Sequence, residues 1–201
     1  MDLVTTLLVG VPAQVAVFAL VPLAWWLNAG RPDGSFLRWL GFRRGRETTD
    51  PLVLGATIAA ALGFLGSALL SRAAAPITGT GYFVFLAIAL VAVVQTALSE
   101  ELFFRGFMLG WVEGRSGRPM LANVVQAVAC GLLRLVVHWL FVSRGLAPCL
   151  AAFALGAGPA LMVGWVRQRT GSVLWPWAAH GTGNPLAGVL AATTRCGGAA
   201  A

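Results

Sequence analysis

Apolar runs recur along this chain, parted by short stretches in which arginine, glycine and proline collect. The runs cover residues 3–27, 51–70, 82–109, 120–142, 146–166 and 172–192. Each is about as long as the ~20 residues that carry a helix across a bilayer. The pattern predicts an all-α, polytopic integral membrane helical bundle of about six transmembrane helices, with seven or eight as the alternative count. The third run, at about 28 residues or ~42 Å of helix, must tilt or project beyond the bilayer. Pro12 and Pro22 are expected to kink the first. The first run lacks a basic n-region at Met1-Asp2-Leu3 and is too long for a signal h-region, so it reads as a retained span. Residues 28–50 form the longest polar segment. Within it, residues 35–42 mix aromatic, aliphatic and basic positions, which predicts a short helix lying on the membrane surface. No internal repeat or boundary divides the chain. It reads as one transmembrane domain over residues 1–201, with a motif-bearing core at about 82–190.

Composition strengthens the membrane reading. The chain is 58% hydrophobic and 10% charged, where soluble domains carry about a quarter charged residues. All 14 basic residues are arginine and the net charge is +7. With loops assigned alternately to the two sides, nine arginines fall on one (Arg31, Arg38, Arg43, Arg44, Arg46, Arg115, Arg118, Arg167, Arg169) and three on the other (Arg72, Arg144, Arg195). The positive-inside rule puts the first group in the cytoplasm. Topology therefore explains the charge with no nucleic-acid partner, and the partners expected are membrane lipid and a membrane-associated protein or peptide. The location expected is the cell membrane, multi-pass, of bacterial inner-membrane type. Cys130, Cys149 and Cys196 have no paired spacing and read as small buried hydrophobes.

Against this background a few polar residues stand out. Glu100, Glu101 and Arg105 lie in the second half of the third run, and two of the chain's seven acidic residues are here. A charge at membrane depth costs at least ~2.5–3.5 kcal/mol on insertion scales, so it calls for a functional explanation. Glu101 and Arg105 are spaced i,i+4 in the order that favours a helical ion pair. Glu100 is turned about 100° away. One carboxylate can thus be neutralised locally while its neighbour faces a cavity and acts as a general base toward water. The alternative is a purely structural set of ion pairs. His180 and Asn184 also share a helix face, suited either to stabilising an oxyanion or to bonding helices together. His138 lies in the fourth run, with Arg134, Gln126 and Asn123. Counted from the cytoplasmic ends, Glu100 lies ~15–18 Å deep, His180 ~12 Å and His138 ~27 Å, which makes His138 the outlier.

The order Glu-Glu-x-x-x-Arg, then a histidine near the end of the next span, then His-x-x-x-Asn resembles the CPBP intramembrane proteases. That family holds the CAAX prenyl endopeptidase and the bacterial Abi and bacteriocin-immunity proteins. The stretch Glu100-Glu101-Leu102-Phe103-Phe104-Arg105-Gly106-Phe107 is similar to its first motif. Gly164-Trp165 and Arg169-Thr170-Gly171-Ser172-Val173-Leu174-Trp175-Pro176, leading to His180 and Asn184, are similar to its last. The resemblance implies that Glu100 activates water with help from His138, that His180 and Asn184 stabilise the oxyanion, and that Glu101 and Arg105 support the site. An older view of such families implies zinc, held by His138, His180 and Glu100 or Glu101. The metal-free glutamate mechanism is the one favoured here, with no cofactor. Two positions depart from the family pattern. Arg134 stands where the family carries Phe, placed either to repel a protonated His138 or to pair with Glu100 or Glu101 and disarm the base. Pro185 follows Asn184, with Gly181 and Gly183 nearby, and is expected to kink or open the last span.

The reading is an intramembrane endopeptidase of CAAX-processing type, hydrolysing a peptide bond of a membrane-associated protein or peptide. One rival is a membrane scaffold or bacteriocin-immunity protein that keeps the fold with impaired catalysis. The other is a small ion- or proton-coupled transporter that uses the buried carboxylates as a relay.

Overall fold

The computed structural model describes residues 11–32, 35–45, 50–70, 93 and 97–198. Residues 3–10, 82–92 and 94–96 of the expected spans lie outside the described residues. Among the described residues all regular structure is helical. In chain order the elements are α1 (Val11–Asn28), α2 (Phe36–Trp39), α3 (Pro51–Leu70) and α4 (Ser99–Glu101). Then come a π-helical stretch (Leu102–Met108), α5 (Leu109–Ser116), α6 (Pro119–Phe141), α7 (Leu146–Thr170) and α8 (Leu174–Gly198).

Three helices, α3, α6 and α7, are long and apolar enough to cross a membrane, and α1 is a shorter apolar helix. Only 28% of the most apolar window of α3 is buried inside the protein, and 33% of those of α6 and α7. Leu52, Ile58 and Leu62 on α3 and Val136, Leu140 and Phe141 on α6 face outward. An apolar surface of that extent on helices apolar all round is what lipid covers. The chain is an all-α membrane bundle.

The core is narrow and built from small residues. Ala60, Phe64, Val163 and Ala179 join α3, α7 and α8, while Phe104, Ala127, Cys130 and Ala160 join the π-helical stretch to α6 and α7. Cys130 and Cys149 are buried free thiols. Between α6 and α7, Asn123 Nδ2 donates to the Leu161 carbonyl at 3.0 Å and Gln126 Nε2 to the Ala160 carbonyl at 2.9 Å. These amides are the polar fastening expected where lipid provides no hydrophobic drive between helices. Gly183 on α8 lies against α3 so closely that a Cβ there would stand 2.9 Å from the Ala61 carbonyl oxygen. Its lack of a side chain admits a neighbouring helix. Pro185 sits inside α8, which runs on through it as helix.

The polar segment after α1 holds a short helix within residues 35–42, as expected. Its helix, α2, is four residues long, and Leu40 just beyond it is wholly buried. The chain then straps across the start of α8. Val173 N–H donates to the Gly41 carbonyl at 3.0 Å, Arg43 Nε to the Gly171 carbonyl at 3.0 Å, and Ser172 Oγ to the Arg43 carbonyl at 2.6 Å. These bonds satisfy backbone groups at a helix junction and hold the segment against the bundle. At the same end, Arg43, Arg44, Arg167 and Arg169 surround a cavity of about 470 Å³ with Glu113. Arginines that the loop count assigned to one side do gather at one end of the bundle.

Candidate active site

Every strongly polar group of the site projects from a helix. The i,i+4 spacing of Glu101 and Arg105 brings Arg105 Nη1 to 2.9 Å from Glu101 Oε1, with both side chains fully buried. Arg105 is the largest wholly buried side chain among the described residues, its guanidinium carbon 6.0 Å from the centroids of Phe64 and Phe104. A buried cation is tolerable only beside an opposite charge, and the aromatic faces add attraction. The helix is π-helical at residues 97–98 before the carboxylates and again over Leu102–Met108 directly after them, where the Leu109 N–H reaches back to the Phe104 carbonyl. Single π turns of this kind recur at functional sites. The sequence carries no proline there, and Gly106 is the one helix-weakening residue within the stretch.

Glu100 points to a different neighbour. Its Oε2 accepts from Arg134 Nη2 at 2.8 Å, an ion pair from α4 to α6. His180, on α8, joins both carboxylates. Its Nδ1 is 3.0 Å from Glu101 Oε1, and its Nε2 is 4.0 Å from Glu100 Oε2 and 3.3 Å from Arg134 Nη2. Guanidinium groups only donate, so Nε2 accepts in this contact and the neutral ring carries its proton on Nδ1, donated to Glu101. The ring is stacked on Phe64, centroids 4.0 Å apart and planes 12° off parallel. Phe64 fixes the imidazole plane from α3, outside the motifs. Within an apolar run, nothing in the sequence distinguishes it from its neighbours.

The structure thus brings together Glu100, Glu101, Arg105, Arg134 and His180. His138 does not join them. Its ring is buried, and neither nitrogen has a hydrogen-bond partner among the described residues. It lines a separate small cavity with Arg134, one turn away on α6. Asn184 lies on α8, and its side chain lies outside the described residues. Among the described residues no three His, Cys, Asp or Glu side chains form a group able to hold a metal ion. The proposed zinc set therefore does not fit this arrangement. His138 is apart from His180, and a guanidinium occupies the position beside Glu100 and His180 that a cation would need.

Residues 81–186, more than half of the chain, match the family described as Rce1-like, type II CAAX prenyl endopeptidase. The chain belongs to the Rce1-like family. At the level of the family it is a CAAX-type intramembrane protease. The match ends two residues past His180-Gly181-Thr182-Gly183-Asn184 and spans all the polar groups just described. No curated protein and no solved structure matches the chain. Phe64, which stacks on the site histidine, lies upstream of the matched Rce1-like region.

Proposed function

We propose that this Rce1-like chain is a multi-pass endopeptidase of the bacterial inner membrane. It cuts a peptide bond of a membrane-associated protein or peptide by a metal-free glutamate mechanism. The observation that carries the reading is Glu100, almost fully buried, with His180 Nε2 at 4.0 Å and oriented by a second carboxylate. A water placed between them gives a proton to Glu100 as its oxygen attacks the scissile carbonyl. Glu100 then returns that proton to the leaving amine. The oxyanion forms on the side of Asn184, whose carboxamide N–H can donate to it, while the Nε2 lone pair of His180 accepts from the attacking water. Glu101 holds His180, and Arg105 balances the charge of Glu101. The arginine-lined end of the bundle faces the cytoplasm and the anionic lipid headgroups.

The test is cleavage of a membrane-anchored peptide by the full chain in proteoliposomes. Glu100→Gln keeps the shape of the side chain and removes the base. It should lower kcat by about 10²–10⁴-fold; a variant as fast as the wild type sinks the reading.

One observation favours a second reading. The same Arg134 nitrogen is bonded to Glu100 and contacts His180, so a single guanidinium occupies both reactive groups. A chain fixed in this arrangement is a binding or immunity protein with the fold of a protease. That reading requires no cleavage by the wild type and peptide binding that survives Glu100→Gln.

A further inference from the structure

Beside the carboxylate cluster lies a second, mostly apolar space with a few polar groups on its wall. Ser67 and Leu70 of α3, Arg134, Val137 and His138 of α6 and Ala152 of α7 line a cavity of about 30 Å³. A water-sized oxygen needs ~10–15 Å³, so the space suits about two oxygens and is small for a phosphate's four. Its polar lining is a guanidinium, a hydroxyl and an imidazole. His138 is 4% exposed, and both ring nitrogens lack partners among the described residues. An imidazole that buried ordinarily has a partner. Arg134 belongs to both spaces. It bonds Glu100 on one side and borders the cavity on the other, and its side chain is 22% exposed where that of Glu100 is 4%.

We infer that this cavity is the subsite for a substrate carboxylate, and that filling it releases Glu100. Two carboxylates and two guanidinium groups balance in the cluster, so a third carboxylate must share a cation already in use. Arg134 is the reachable one, with three donor nitrogens that a carboxylate can bridge. Bound there, it loosens its hold on Glu100 and on His180 Nε2 together, and the base and the imidazole become available. Glu100 and the ligand compete for one guanidinium, so each weakens the other's hold. The inference takes its substrate from the peptidase reading and its site from the geometry.

The experiment uses three peptides of one sequence with the full chain in nanodiscs. One ends in a free carboxylate, one in a carboxamide, and one in a carboxamide with a glutamate near the end. Binding is measured first, to the wild type and to Glu100→Gln. Either acid-bearing peptide should bind at least tenfold more tightly than the neutral one, and whichever of the two does so names the source of the carboxylate. Glu100→Gln, which leaves Arg134 unengaged, should bind it several-fold more tightly still. Arg134→Gln and His138→Gln should erase the preference, and Arg134→Lys should restore part of it. Equal binding of acid and neutral peptides to folded wild type overturns the subsite, even if both are cut. Equal affinity of the wild type and Glu100→Gln for the acid peptide overturns the competition. Acid-selective binding with no cleavage upholds the subsite and removes the peptidase reading instead.

Discussion

Arg134 Nη2 lies 2.8 Å from Glu100 Oε2 and 3.3 Å from His180 Nε2, so one nitrogen from α6 touches both groups assigned to the chemistry. A hydrogen bond to a charged group contributes about 1.5–3 kcal/mol, or roughly ten- to a hundredfold in an equilibrium. Arg134→Phe, which removes the guanidinium, should speed cleavage of a neutral-ended peptide by about tenfold or more. Steady-state kinetics in proteoliposomes checks this. An unchanged or lower rate means that Arg134 does not restrain Glu100.

Glu101 and Arg105 form a wholly buried pair, and breaking one half leaves an uncompensated charge. Arg105→Leu should destabilise the chain by about 3–5 kcal/mol. Adding Glu101→Gln should recover part of that loss, because the orphaned carboxylate goes with it. Thermal unfolding of the single and double variants in detergent gives the coupling directly. Additive losses would mean that the pair does not interact.

Phe64→Leu keeps an apolar side chain in the core and removes the flat face on which His180 lies. Stability should fall by about 1–2 kcal/mol, a stacked aromatic contact being worth ~0.5–1.5 kcal/mol beyond its area. In the enzyme reading, kcat should fall about tenfold with KM little changed, since the imidazole plane affects the reaction more than binding. A change confined to KM would assign Phe64 to the substrate path instead.

Gly156 on α7 leaves room for the stem of Arg134. A Cβ there would stand 2.8 Å from Arg134 Cγ, 3.0 Å from its Cβ and 3.1 Å from the Gly131 Cα. The neighbours are a backbone atom and the rigid base of a side chain, so the clash has no cheap relief. Gly156→Ala should cost about 1–3 kcal/mol and disturb the Arg134–Glu100 pair. Unfolding measurements check the first part. The second is checked by comparing its peptide preference with that of Arg134→Phe.

Several of these relationships were legible in the residues themselves. The spacing of Glu101 and Arg105 predicts their pairing, because i,i+4 geometry belongs to any helix. The start of α3 was readable as well, since Pro51 opens it. Arg134 could be read as a partner for one carboxylate, but choosing Glu100 required knowing how α4 and α6 face each other. The depth estimate already set His138 apart, and the structure finds it in the last turn of α6, lining a different space. Phe64, Gly156 and the π turn were not readable. Each acts through a neighbour distant in sequence or through a hydrogen-bond register that many apolar sequences can adopt. Of the kink or opening expected at Pro185, the opening is not seen, since the helix continues through it.

The strap across the start of α8 also bears on the order of synthesis. Arg43 bonds to Gly171 and to Ser172, partners that follow it by 128 and 129 residues. While the chain is being made, Gly41 and Arg43 must wait until almost all of it has entered the bilayer before these bonds exist. A nascent chain halted before residue 170 leaves Arg43 and the Gly41 carbonyl without these partners. The strap therefore closes late, and a protease would reach the backbone around residues 41–43 more readily in stalled chains than in finished ones.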